Sequence, residues 1–423
     1  MKSPALEFDA LAAAVNALPE DALSAARQSA LQQLRKSGMP GVREEDWKYT
    51  DVSALVDITN AWLTGGASLP QEAAAPQPPA GIDADWITIA NGQVDDSLIG
   101  QLPEGVTVSR LSAAGSDLAS LGRLGDFNTA LLHDGLKICV NEGASLKRPI
   151  GLFIADHAAD GANVSQVRIE IDVARLGSAS FIEYQVSGGD GDLYANVAVD
   201  LTLADGASAD YVRIQDRGAQ HNQTGYHGIE LGRDARLRKT SFDLGGKLVR
   251  NDLVVNISQP GAEAEFGGLY LVGDRQHVDN HTRVDHRVGP AVSRQEYRGI
   301  LAGKARGVWN GKAIVHEGAD GTDAEQSNHN LLLSQNAEIN AKPELEIYAD
   351  DVKCSHGTTV GQLDETALFY LRTRGLDRSE ARQMLTRAFA LTIVGRSPIA
   401  QIEDYLLEQI DARLKALLEE TTA

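Results

Sequence analysis

The chain has 423 residues, a formal net charge of −20, two cysteines and 5% aromatic residues. That charge excludes nucleic acid as the main partner, since Lys and Arg must neutralise phosphates there, and it excludes an anionic lipid surface. Two cysteines cannot form a disulfide framework or a four-cysteine zinc site, and no apolar run reaches the roughly 18 residues of a membrane span.

Residues 1–65 are predicted to be helical. Glu7 and Asp9 stand where a secretory signal would be apolar, so a cytoplasmic protein with reduced thiols is expected. Pro19-Glu20-Asp21 opens a segment rich in Ala, Leu and Gln that closes on Arg35-Lys36, an order of charge that suits the helix dipole. Gly38 and Pro40 stop it. A charged patch around two aromatics follows, Arg43-Glu-Glu-Asp-Trp-Lys-Tyr-Thr50. Residues 66–80 hold four of the 13 prolines and read as a linker.

Residues 81–361 are predicted to form a β core. Strict alternation marks half-buried strands at Val167-Arg-Ile-Glu-Ile-Asp-Val173, Asn196-Val-Ala-Val-Asp-Leu-Thr-Leu203 and Gly228-Ile-Glu-Leu231. Turn clusters carry Ala179, Ala207, Ala235, Ala262 and Ala291, in steps of 28, 28, 27 and 29 residues. A repeat of about 28 residues with two strands each, abundant Gly and no helical signal predicts a β-solenoid whose stacked coils bury a ladder of Val, Ile and Leu. A β-sandwich with coincidental spacing is the alternative. Residues 362–423 return to helix. Asp377-Arg-Ser-Glu380 reads as a capping box. Ile402, Tyr405, Leu406, Ile410, Leu414 and Leu417 form a stripe that serves either as core or as a docking face. Trp47, Trp62, Trp86 and Trp309 are expected to be packing residues.

No phosphate-cradling loop, dinucleotide fingerprint, nucleophile elbow or HExxH motif is present. Any ATPase in the same process belongs to another chain. The residues that stand out are Cys354 and His356, in Asp350-Asp-Val-Lys-Cys-Ser-His-Gly357. On a strand, positions two apart face the same way, so thiol and imidazole would lie side by side. That pair suits iron, zinc or iron–sulfur ligation. Two ligands make half a site, open to a neighbour; an inert cysteine beside an ordinary histidine fits the same residues. Cys139, flanked by Ile138 and Val140, reads as core. His277, His281 and His286 lie in a strand-like or loop-like stretch and read as polar surface residues.

The stretch Lys342-Pro-Glu-Leu-Glu-Ile-Tyr-Ala-Asp-Asp-Val-Lys-Cys-Ser-His-Gly-Thr-Thr-Val-Gly361 resembles the SufB/SufD family, on its SufD side. The likeness continues through Leu368-Phe-Tyr-Leu-Arg-Thr-Arg-Gly375 and Ala381-Arg-Gln-Met-Leu385, and Glu45-Asp-Trp-Lys-Tyr-Thr50 resembles the family's N-terminal signature. SufB has its key cysteine just after the Phe-Tyr pair, where this chain has Leu371. The resemblance implies a right-handed parallel β-helix between two helical regions. It implies a non-enzymatic scaffold subunit for iron–sulfur cluster assembly in a SufB–SufC–SufD complex, with ATP hydrolysis on SufC. His356 would face a SufB cysteine across the interface, with Cys354 close by, and a nascent cluster or iron would be shared there rather than held tightly by the isolated chain. The C-terminal helices would hold SufC, and the chain alone could pair with itself. A β-helical carbohydrate-active enzyme would be secreted and would line a groove with aromatics, which are few here. A purely structural adaptor is the third possibility.

Overall fold

In the computed structural model, which describes residues 5–67, 77–94, 102–114, 118 and 120–420, three helices come first. They are α1 (Phe8–Ala17), α2 (Ser24–Ser37) and α3 (Ser53–Thr64), with a 3-10 turn over Glu45–Trp47. The chain leaves α2 at Gly38 with φ 66°, as the stop signal requires. Leu11, Val15, Leu31, Leu34, Leu55 and Trp62 pack these helices together and against Phe127 and Tyr194 of the β core. Most of the linker expected over 66–80 lies outside the described residues, which omit 68–76.

The core opens with β1 (Asp85–Ala90), β2 (Gln93–Val94), β3 (Val106–Arg110), α4 (Leu111–Ala114), α5 (Gly122–Ala130) and β4 (Leu136–Val140). Strand then follows strand: β5 (Ile150–His157), β6 (Ala162–Val173), β7 (Ser178–Gly188), β8 (Asp192–Leu203), β9 (Ser208–Asp216), β10 (Asn222–Leu231), β11 (Arg236–Asp243) and β12 (Leu248–Ile257). The run ends with β13 (Glu263–Val272), β14 (His277–His286), β15 (Val292–Leu301), β16 (Arg306–Val315), β17 (Asp323–Leu332), β18 (Glu338–Ile347) and β19 (Lys353–Gly361). From β5 onward the odd-numbered strands stack in parallel as one sheet and the even-numbered strands as another. Each coil gives one strand to each sheet, so the fold is a parallel β-solenoid and not a sandwich. Antiparallel pairing of β2 on β1 and of β3 on β4 closes its first end.

Stacking sets the true repeat. Ser178, Ser208, Arg236, Glu263, Val292, Asp323 and Lys353 lie one above another. The coils are therefore 30, 28, 27, 29, 31 and 30 residues long. Ala207, Ala235, Ala262 and Ala291 do stack, but the residue at that level in the preceding coil is Gly177, not Ala179. Several turns are made tight by a left-handed residue, such as Gly206 (φ 66°) and Gly261 (φ 81°). A Cβ on Gly261 would lie 1.9 Å from Asp234 Oδ1 of the coil below.

The interior departs from the expected aliphatic ladder. It is aliphatic in the first coils, where Ile87, Ile89, Ile138, Leu152 and Ile169 meet. From β7 on, both sheets turn polar groups inward. Glu183 accepts from Tyr211 at 2.7 Å and contacts His227 Nε2 at 2.8 Å. Arg213 donates to Asp243 at 2.7 Å, and both side chains are 3% exposed. Burial alone would raise the Glu183 carboxyl, but His227, Lys239 and Arg213 outweigh it and hold it at about 2. Burial pushes the Lys239 ammonium down to about 7, only partly offset by Glu183. Its Nζ lies 4.3 Å from the Tyr211 ring centroid and has no hydrogen-bond acceptor among the described residues.

A lysine with a lowered pKa carries fewer protons folded than unfolded. Stability should therefore rise with pH between about pH 7 and 10, at up to about 1.4 kcal/mol per unit. Lys239→Met should remove that rise and raise the melting temperature at pH 7. Denaturation at pH 7 and 9 checks this; equal slopes in both proteins would mean that Lys239 is charged and well solvated when folded.

The C-terminal helices are α6 (Glu365–Thr373), α7 (Arg378–Val394) and α8 (Glu403–Glu420). The predicted capping box at Asp377 and Glu380 is present. Leu406, Ile410 and Leu414 are fully buried against the outward residues of the odd-numbered strands, among them Ile182, Val212, Phe242 and Leu269. The stripe is therefore core of this chain. Tyr184 and Tyr405 share a hydrogen bond at 2.6 Å, Arg396 pairs with Glu296 at 2.6 Å, and Arg413 pairs with Asp216. Leu368 is the one buried residue of α6.

Candidate functional site

The second end of the solenoid is open. β19 is the last strand of one sheet and β18 the last of the other. Among the described residues each therefore leaves a row of backbone groups unpaired. The residues of β18 are half-buried or exposed, and all of β19 is exposed except the half-buried Cys354.

Cys354 and His356 lie on β19 with the same facing, as their spacing predicts. The register continues the inward ladders. One runs Ile150, Phe181, Tyr211, Lys239, Phe266, Gln295, Gln326, His356. The other ends Ala264, Ser293, Ala324, Cys354. His356 is thus an interior position made exposed because no coil follows it. It makes no hydrogen bond or ion pair with a described residue. The floor beneath it is fixed. With its amide oriented to satisfy its neighbours, Gln326 donates to the Gly311 carbonyl and accepts from the Ala313 N–H, both at 2.9 Å across the interior.

Cys354 is a less ready ligand. Burial, with a smaller push from Asp323, raises its thiol against a lowering backbone hydrogen bond from Ala324. Only the thiolate binds metal, so an incoming cation has to displace the proton. Among the described residues no three His, Cys, Asp or Glu side chains converge as a metal site. The arrangement on this chain is two adjacent donors on an unpaired edge.

The other sequence candidates are elsewhere. Cys139, expected in the core, is half-buried. The alternation of β4 places Leu136, Ile138 and Val140 inside and turns Cys139 outward, near Thr107 and Asp172. The three histidines do not converge and are not merely solvated. His277 bonds Thr50 at 2.9 Å, His281 contacts Asp279 at 3.1 Å, and His286 points inward to Ser293 at 2.9 Å. The sequence reading missed the apolar residues exposed at this end, Ile347, Tyr348 and Val360, and Phe369, Tyr370 and Met384 on α6 and α7. Their hydrophobicity was legible; their lack of cover was not.

The description "SUF system FeS cluster assembly, SufBD core domain" matches residues 153–389, and "SufBD protein N-terminal region" matches residues 7–152. The iron-sulfur cluster assembly protein SufD of Escherichia coli is 28% identical over 92% of this chain and 92% of its own length. An iron-sulfur cluster assembly SufBD family protein of Synechocystis is 30% identical over 92% of this chain and 90% of its own length. "Protein ABCI7, chloroplastic" of Arabidopsis thaliana is 26% identical over 91% of this chain and 87% of its own length. With core and N-terminal region both matched, the chain belongs to the SufBD family of iron–sulfur cluster assembly proteins.

Proposed function

We propose that this chain is a SufD-like, non-enzymatic subunit of a SufB–SufC–SufD scaffold. A SufB-like partner pairs with the open edges of β18 and β19. His356 and Cys354 then supply one half of the ligands to a nascent cluster, and the partner supplies the other half. The observation that carries this reading is the exposure of His356, an interior rung by register, beside Cys354 on an unpaired edge. His356 is the first ligand, because the raised thiol of Cys354 has to be deprotonated on binding.

A SufC-like ATPase docks on the exposed Phe369, Tyr370 and Met384 of α6 and α7. Only Gln362, Leu363 and Asp364 separate β19 from α6, so motion of α6 is passed directly to the strand that carries the ligands. The anchored α8 and the second half of α7 stay in place. ATP-driven closure of SufC opens the interface by this route. Alone, the chain pairs with a second copy through the same edges and holds no cluster. The two unlinked cysteines suit a reducing cytoplasm.

Co-expression with SufB-like and SufC-like chains from the same cell, then cluster assembly from iron and sulfide, tests the reading. The expected result is a stable three-component complex that gains a cluster absorbance which the isolated chain lacks. Failure to co-purify, or equal cluster yield when this chain is left out, would overturn it.

A further inference from the structure

The segment Glu45–Thr50 was conspicuous in the sequence for placing charge around aromatics, and the cluster site makes no use of it. It crosses the outer face of the even-numbered sheet. At one end the Trp47 ring lies 4.2 Å from the guanidinium carbon of Arg250 on β12. Arg250 has a 2% exposed side chain. It donates to the Asp46 carbonyl at 2.8 Å, to Asp279 of β14 at 2.6 Å and to Asp252 at 2.8 Å. Thr50 donates to Asp279 and meets His277. Burial would raise the Asp279 carboxyl, but Arg250, His281 and Thr50 hold it well below the usual carboxylate range. At the other end Glu45 accepts from Lys342 of β18 at 2.9 Å, and Lys342 also pairs with Glu344 at 2.8 Å.

The distance covered is the point. β12, β14, β16 and β18 are consecutive neighbours, so the strap ties together side chains from strands about 14 Å apart in the stack, the buried Arg250 and Lys342 of the last strand. Among the described residues β18 pairs as a strand on one side only, with β16. We infer that Glu45–Thr50 is a strap that positions β18, and through it the edge on which a partner pairs. The hold on β18 is a property of this chain. Its effect on pairing rests on the proposed function.

Hydrogen exchange on the full chain and affinity for a SufB-like partner test the strap together. Glu45→Lys and Lys342→Glu should each speed exchange in residues 338–347 by about two- to fivefold, the reach of one exposed ion pair. The double swap Glu45→Lys with Lys342→Glu should restore it. Trp47→Ala, which frees the anchor, should speed exchange there further and weaken pairing. Faster exchange confined to α1–α3, with residues 338–347 as in the wild type, would overturn the inference and leave the segment as an anchor for the N-terminal helices. Faster exchange in 338–347 in a chain whose wild type pairs with no SufB-like partner would uphold the strap and overturn the proposed function instead. The charge-swap pair, both partly exposed, keeps the test valid if Trp47→Ala unfolds.

Discussion

His356→Ala should reduce cluster formation in the assembled three-subunit complex by more than about tenfold, with the melting temperature of the isolated chain unchanged. Loss of one metal ligand removes a bond whose replacement by water leaves the cluster labile, and loss of mere supporting groups around a metal already costs about 10- to 100-fold. Stability should not move, because the His356 side chain is exposed and makes no hydrogen bond or ion pair with a described residue. Cys354→Ser should have a smaller effect, since burial opposes its thiolate in the free chain. Cluster absorbance per complex, set beside thermal unfolding of the chain, checks both. Unchanged cluster yield with intact assembly would remove His356 from the ligand set.

Arg250→Met should be the most damaging single change to the fold, at about 3–5 kcal/mol, the usual result of removing one partner from a buried ion pair. It leaves Asp279 buried, takes the donor from the Asp46 carbonyl and removes the cation from Trp47. The pH dependence has a definite sign. Asp279 is held below its unfolded value, so its contribution in the wild type is complete above about pH 4 and is lost as pH falls below that. In the variant only His281 and Thr50 still hold the carboxyl down, so it protonates more readily, and its protonation relieves the defect. The gap between the two proteins should therefore be widest near pH 7 and narrow below pH 4. Thermal unfolding at pH 7 and pH 3.5 tests this; a constant gap would mean that the loss is one of packing rather than charge.

Local chemistry made much of this legible. Alternation over Val167–Val173 and Asn196–Leu203 marked strands correctly, because side chains on a strand alternate between faces whatever surrounds them. The capping box at Asp377 and Glu380 is satisfied within four residues and needed no tertiary context. The adjacency of Cys354 and His356 follows from the same period of two. The absence of a phosphate loop is likewise a statement about consecutive residues.

The tertiary structure decided everything that depends on what lies above, below or opposite. Period two separates faces but does not say which face is inside. Phe181-Ile-Glu-Tyr184 turns Glu183 inward and gives Ile182 and Tyr184 to the C-terminal helices. A buried Glu183 is tolerated only because Tyr211, His227 and Arg213 arrive from neighbouring strands. Cys139 sits among apolar neighbours yet faces outward, because its parity is set by Ile138 and Val140. Coil length is fixed by hydrogen-bonded register, so alanines 28 residues apart misled where the coil was 30. The strap joins residues nearly 300 positions apart, Glu45 and Lys342, which no local pattern relates. His356 has the chemistry of a ligand in the sequence, but its exposure comes from the stack ending at β19 among the described residues.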